Sequence, residues 1–195
     1  MENQTNNWKS PMNRILHSKV IKFLVLLIGI VLLLLICGVS YIYFSGIPKY
    51  AHEKPNYSVT VTPEKVERGK KLALILCAHC HMNPETRLLT GTRMLEAPKE
   101  FGTIYSQNIT QDKTYGIGNW TDGEILYLLR TGIKRDGQYA PPYMAKLPLM
   151  ADEDLESIIA FLRSADPMVA AAAVPVTPCE PSLLSKFLTR VAFTP

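Results

Sequence analysis

The chain has 195 residues, enough for one domain of ordinary size with additional segments. Its hydrophobic share of 47% overstates the core, because much of it is concentrated in one segment near the N-terminus. The formal net charge is +4, but the part after residue 22, with 17 basic and 16 acidic residues, carries +1. The chain therefore lacks the basic block of a nucleic-acid-binding protein.

An uncharged segment runs from Phe23 to Pro48. Residues 23–44 are apolar enough and, at about 1.5 Å per residue, long enough to cross a bilayer, so we predict a transmembrane anchor there. The basic residues before it favour a cytoplasmic N-terminus, residues 1–22, by the positive-inside rule; they are Lys9, Arg14, Lys19 and Lys22. A cleaved signal peptide is the alternative, but no A-x-A site follows the run.

Residues 45–60 form a predicted linker, since Gly46, Pro48 and Pro55 stand there among polar residues. The soluble domain, residues 61–166, then begins with a helix. Thr62 is a suitable N-cap, and Pro63 suits the first helical position. Gly69 inside this helix costs about 1 kcal/mol relative to alanine, which a close contact with another helix would offset.

The helix leads into Cys77-Ala-His-Cys80-His81, a C-x-x-C-H motif typical of c-type haem attachment. On a helix, Cys77, Cys80 and His81 share one face. The two thiols can form thioethers with one haem, and His81 can bind its iron. A zinc site would need a fourth ligand from a second such pair, which the sequence lacks, and a thioredoxin-like dithiol would lie between a strand and a helix.

The segment from Met82 to Asn119 has no long periodicity, which suggests that it wraps a ligand. Within it, we expect Phe101, Ile104 and Ile109 to lie on the porphyrin. Polar side chains of the same stretch would offer hydrogen bonds to the propionates; they are Tyr105, Ser106, Asn108 and Thr110. The alternative is a loop that uses these groups for its own hydrogen bonds.

Two further helices are predicted. Thr121 and Glu124 form a capping box, and Gly132 suits a left-handed C-cap. The last helix of the domain extends from Asp152 to Ser164 with Leu155, Ile158, Ile159, Phe161 and Leu162 on a broad apolar face. We expect Phe161 to be the bulky residue that packs against Gly69.

The sixth iron ligand is predicted to be Met144, because Pro141 and Pro142 set an extended approach and enough chain follows to turn back. Met150 directly precedes a helix and has less freedom. Met94, His52 or an open site remain as alternatives.

Residues 167–195 begin as a Pro/Ala-rich linker and end in an amphipathic tail. In this tail one face carries Leu183, Leu184, Phe187, Leu188 and Val191. The tail would fold onto the domain or bind a neighbouring subunit.

Residues 60–165 together resemble the class I cytochrome c family. Gly69 stands eight residues before Cys77, as a glycine does in that family, and the run from Ile158 to Leu162 resembles its C-terminal helix. The segments 101–110 and 116–120 are similar to haem domains of membrane-bound dehydrogenase cytochrome subunits. Those subunits usually carry three haem motifs, whereas this chain carries one.

The resemblance implies an all-α, cytochrome c-like haem domain behind an N-terminal transmembrane helix, with one covalently attached haem c. We expect an electron-transfer protein rather than an enzyme, on the periplasmic side of the bacterial cytoplasmic membrane. Its partners would be redox proteins such as a dehydrogenase or terminal oxidase complex. A haem sensor or peroxidase-like protein with an open distal site is the alternative.

Overall fold

The structure, a computed structural model, describes residues 19–140 and 143–195. Most of the predicted cytoplasmic segment 1–22, with Lys9 and Arg14, lies outside the described residues, as do Pro141 and Pro142. The described chain is mostly helical and divides into two compact units, with the boundary between Phe44 and Ser45.

The first unit contains helix α1, Lys19–Ser45, except for its last residue, and α1 includes the predicted span 23–44. Among the residues that the structure describes, α1 is the one helix long and apolar enough to cross a membrane. None of its side chains is buried. Its length and composition fit a membrane span or a signal sequence.

The second unit contains five helices and one small sheet among its described residues. The helices are α2 (Pro63–Leu76), α3 (Ala78–His81), α4 (Asp122–Thr131), α5 (Asp152–Leu162) and α6 (Leu183–Val191). The strands are β1 (Gly102–Thr103) and β2 (Glu180–Pro181), and 3-10 turns occupy Lys99–Phe101 and Pro167–Val169. The prediction of an all-α domain thus agrees with the helices, but it did not include this sheet.

Local capping explains where α2 and α4 begin. The Thr62 hydroxyl accepts a hydrogen bond from the Lys65 amide at 3.3 Å, and Pro63 is the first residue of α2. The Thr121 hydroxyl accepts from the Glu124 amide at 3.1 Å, and the Glu124 carboxylate accepts from the Thr121 amide at 2.9 Å. Gly132 ends α4 at a φ of 76°. The predicted caps are therefore confirmed.

The core lies where α2 crosses α5. The predicted apolar face of α5 is buried, and Phe161 is fully so. Gly69 is buried in the crossing, but its nearest neighbours are the backbone atoms of Ser157 and Ile158 rather than the Phe161 ring. The predicted helix contact is confirmed, and the α5 backbone itself occupies the space beside Gly69. Packing of Phe161 against Gly69 stays a prediction.

The C-terminal tail folds onto the second unit. Val169 is fully buried, and β2 pairs antiparallel with β1, with Gly102 opposite Pro181. Gly102 has a φ of 97°, and a side chain there would overlap the Glu180 carbonyl, so this register requires glycine. Of the two arrangements left open by the sequence, the structure has the tail on its own domain.

Replacing Gly69 with alanine tests the helix crossing. The new methyl group would overlap the Ser157 carbonyl, and such overpacking costs about 2 kcal/mol even though alanine favours a helix. We expect Gly69→Ala to lower the free energy of unfolding by that amount, measured by chemical denaturation followed by far-ultraviolet circular dichroism.

The matched control is Lys71→Ala in the same helix, where the side chain is 71% exposed and pairs with Glu67. This change should cost less than about 0.5 kcal/mol. A Gly69→Ala protein as stable as the control would contradict the close crossing.

Candidate functional site

A cavity of about 600 Å³ lies in the second unit, within the range of small-molecule and cofactor sites. Its walls come from α2 and α3, the loop after β1, α4, the segment before α5, and the tail. Apolar residues supply much of the lining, among them Leu76, Ile109, Ile117, Trp120, Leu128, Leu129 and Leu147.

The motif residues Cys77, Cys80 and His81 all line this cavity. The Cys80 and His81 amides donate to the Cys77 carbonyl at 3.1 and 2.8 Å, so the motif forms one tight helical turn. Because α3 follows α2 directly, the two thiols and the imidazole reach the same cavity from one face. Local helix geometry thus brings together the three residues that the motif singled out.

The imidazole of His81 is oriented by the loop opposite. Its Nδ1 lies 2.7 Å from the Gln107 carbonyl oxygen, which can only accept a hydrogen bond, so Nδ1 carries the proton. Nε2 is then the unprotonated nitrogen, the form that binds a metal. Burial also lowers the pKa of His81, which keeps the ring neutral.

The two motif thiols are free cysteines, held in their protonated form. Burial raises the pKa of Cys77 to about 11 and also raises the pKa of Cys80. Within residues 19–140 and 143–195 no group of three His, Cys, Asp or Glu side chains is arranged to hold a metal ion. The zinc alternative therefore has no ligand set in the described part of the chain.

Two methionines line the cavity, Met144 and Met94. Met150 packs against the core but is absent from the lining, as is His52, within the part of the chain that the structure describes. Met144 is half-buried and also packs against the core. Of the four side chains considered as a sixth ligand, two thus share the cavity with His81.

Arg130 fixes the chain that follows Met144. Its Nη1 donates to the carbonyls of Leu147, Pro148 and Met150 at 3.2, 2.8 and 2.6 Å. Its Nη2 also donates to Asp152. Arg130 lies in the last turn of α4. Its contact with three backbone carbonyls could not be predicted from the sequence, because every residue has a backbone carbonyl.

Polar side chains of the loop after β1 form hydrogen bonds within the protein. Asn108 lines the cavity, but its amide donates to the carbonyls of Ala172 and Val174, at 3.0 and 3.2 Å, and its oxygen accepts from Thr110. The Ser106 hydroxyl donates to the Cys80 carbonyl at 2.6 Å. These bonds match the alternative of a loop that satisfies itself, so propionate contacts of Asn108 stay a prediction.

The other residues of this loop divide between cavity and core. Tyr105 and Ile109 line the cavity. Ile104 is buried, 1% exposed, outside the lining, and Phe101 lies in the 3-10 turn before β1. Of the three side chains expected on the porphyrin, Ile109 alone lines the described cavity.

The tail contributes cavity residues that sequence reasoning missed. Pro178, Cys179 and Pro181 line the cavity. The Cys179 sulfur accepts from the Tyr105 amide at 3.3 Å and donates to the Tyr105 carbonyl at 3.2 Å. No periodicity marks such a long-range contact, so the position of Cys179 could not be predicted from the sequence.

The donor set fits a c-type haem. Two thiols and a neutral imidazole come from one helical turn, a thioether shares their cavity, and the walls are apolar. These are the groups that attach, ligate and enclose such a cofactor.

Known proteins resemble about half of the chain. It is 41% identical over 102 residues to the fructose dehydrogenase cytochrome subunit of Gluconobacter japonicus, a match to 50% of this chain and 20% of that protein. It is 34% identical over 99 residues to the alcohol dehydrogenase (quinone) cytochrome c subunit of Gluconobacter oxydans, a match to 49% of this chain and 20% of that protein. A diheme cytochrome c-type protein of Cereibacter sphaeroides is 34% identical over 99 residues, a match to 47% of this chain and 32% of that protein.

These matches leave most of each relative uncovered. The chain spans about a fifth of the length of the dehydrogenase cytochrome subunits. No family model matches the chain.

Asn108→Ala tests the link between the cavity loop and the tail. The change removes one of the two donors to the Ala172 carbonyl, which also accepts from the Val174 amide, and the side-chain donor to the Val174 carbonyl; the loss costs about 2 kcal/mol. We expect lower stability in chemical denaturation and faster proteolysis within residues 170–178. Asn119→Ala, which removes an exposed bond to the Lys113 carbonyl, is the control and should change stability by less than about 0.5 kcal/mol. Equal proteolysis of the two variants would refute the link.

Proposed function

We propose, because the chain is homologous over about half its length to cytochrome c subunits of bacterial dehydrogenases, that it is a membrane-anchored c-type cytochrome. It carries single electrons between respiratory or dehydrogenase partners on the outer face of the cytoplasmic membrane. The observation that carries the proposal is the meeting of Cys77, Cys80, His81 and Met144 in one apolar cavity.

In this proposal Cys77 and Cys80 hold one haem c through thioethers, and His81 and Met144 bind its iron. The bound haem supplies a one-electron couple between ferric and ferrous iron. The single C-x-x-C-H motif in the sequence supports one haem in this chain.

The protein's own contribution is orientation and exclusion of water. The Gln107 carbonyl holds the proton on Nδ1 of His81, which directs Nε2 to the metal and raises its basicity. The apolar walls lower the local polarity, which together with a thioether ligand favours the reduced state. Arg130 holds the backbone after Met144 and so limits the movement of that ligand segment.

A role as electron carrier rather than catalyst follows from the ligand set. With His81 and Met144 both bound, no coordination position is open for a substrate. The relatives are likewise cytochrome subunits of dehydrogenases. We therefore propose a redox partner, such as a dehydrogenase or terminal oxidase complex, and no activity of the chain by itself.

The anchor is α1, and the second unit lies on the periplasmic side. Lys19 and Lys22 stand in the first turn of α1, before the uncharged segment that begins at Phe23, and the rest of that flank lies outside the described residues. Basic residues on this flank support a cytoplasmic N-terminus.

Loss of the motif thiols tests covalent attachment. We expect the purified wild-type pigment to stay with the denatured protein in acid acetone and to give a c-type pyridine haemochrome spectrum. Cys77→Ala/Cys80→Ala should retain no covalent haem. Cys179→Ser and Cys37→Ser are the controls and should keep it. Wild-type protein that releases its pigment, or has none, contradicts the proposal.

The three methionines near the site give a matched test of the sixth ligand. Met144→Ala should abolish the sulfur-to-iron charge-transfer band and convert the oxidised spectrum to a high-spin form, because the iron loses its thioether. Met94→Ala, in the same cavity, and Met150→Ala, outside it, should keep the band. If Met94→Ala alone abolishes it, the assignment moves to Met94. A high-spin wild type would favour the sensor or peroxidase-like alternative.

A further inference from the structure

Helix α6 is amphipathic in the opposite sense to a helix that packs on a core. Its small polar residues face the protein, with Ser185 1% and Thr189 0% exposed. Its large apolar residues face outwards; Leu183, Leu184, Phe187 and Val191 are 39%, 44%, 44% and 60% exposed. The shared apolar face predicted from the sequence is confirmed, and it points away from the domain.

This orientation is fixed by contacts at the start of the helix. The Ser182 hydroxyl accepts from the Ser185 amide at 3.1 Å and donates to the Glu100 carbonyl at 2.5 Å. The Ser182 amide donates to the Phe101 carbonyl at 2.9 Å, next to the β1–β2 pairing. Turning α6 over would break these bonds. The fold therefore fixes this apolar face outwards, where it meets either water or an apolar phase.

Two basic residues stand beside the apolar face, Lys186 and Arg190, spaced four apart on α6. At helical spacing both fall on the flank next to Leu183 and Phe187, between the apolar side and the buried side. An apolar face bordered by lysine and arginine is the pattern of helices that lie in the headgroup region of anionic membranes.

The position of α6 in the second unit supports the same environment. The Arg190 guanidinium donates to the Ser45 hydroxyl at 2.7 Å. Ser45 directly follows Phe44, the last residue of the predicted span. The basic flank of α6 thus lies beside the first residue of the second unit.

We infer that α6 is an interfacial helix that inserts Leu183, Leu184, Phe187 and Val191 into the surface of an anionic phospholipid membrane. The inference rests on the proposed anchor and adds a second, surface attachment to it. Burial of this face is favourable in proportion to the apolar area that it removes from water. Two attachments, one spanning and one lying in the interface, would hold the cavity at one orientation to the membrane.

Photolabelling of the full-length protein tests this. The holoprotein is reconstituted in nanodiscs of phosphatidylcholine and phosphatidylglycerol that contain a phospholipid with a diazirine near the top of its acyl chain. After irradiation, lipid adducts are located in tryptic peptides. We expect labelling of residues 23–49, 187–190 and 191–195, but none of residues 147–163, although Leu149 there is 95% exposed.

Two pairs of variants sharpen the result. Leu184→Ser/Phe187→Ser should lower labelling of residues 191–195 severalfold, whereas Leu149→Ser should leave it unchanged. Lys186→Glu should lower the labelling of α6 in phosphatidylglycerol membranes, whereas Lys113→Glu, an exposed lysine elsewhere, should not.

This experiment tests the membrane-spanning role of α1 and the interfacial role of α6 independently. Label on residues 23–49 without label on α6 overturns the inference and leaves the anchor intact. Absence of label on residues 23–49 overturns the anchor. If α6 carries no lipid but can be cross-linked to α6 of a second chain, the apolar face belongs to a copy of the protein, and the inference is wrong.

Discussion

The arrangement of the cavity depends on the close crossing of α2 and α5 at Gly69. The α5 backbone occupies the space that a side chain at residue 69 would fill. Helix α2 therefore fits against α5 at one separation and at one rotation about its own axis. Because α3 continues α2, that fit also sets where Cys77, Cys80 and His81 point. A single glycine, eight residues before the motif, thus controls the position of all three groups.

The loop after β1 connects the motif to the tail. Gln107 accepts from His81, Ser106 donates to the Cys80 carbonyl, and Asn108 holds the carbonyls of Ala172 and Val174. Three consecutive residues therefore orient the His81 imidazole on one side and secure the C-terminal segment on the other. A disturbance of the tail would reach the imidazole through this short stretch.

What could be predicted from the sequence was local. The caps at Thr62 and Thr121, the motif turn and the apolar face of α5 each depend on residues within about one or two turns of each other, so their spacing identifies them. The contacts of Asn108, Arg130 and Cys179 join distant segments and use backbone partners, which have no identity in the sequence. The face of α6 was visible, but its direction was set by Ser182 and the β1–β2 pair, which periodicity does not encode.

The position of Cys179 in the cavity wall has a consequence for biosynthesis. The ribosome makes the motif well before Pro178, Cys179 and Pro181, so the wall they form is missing while the nascent thiols first emerge. The site is therefore most accessible early, and docking of the tail onto Tyr105 narrows it afterwards. Under the proposed function, a haem attached before the tail docks would therefore meet a wider opening than the finished protein has.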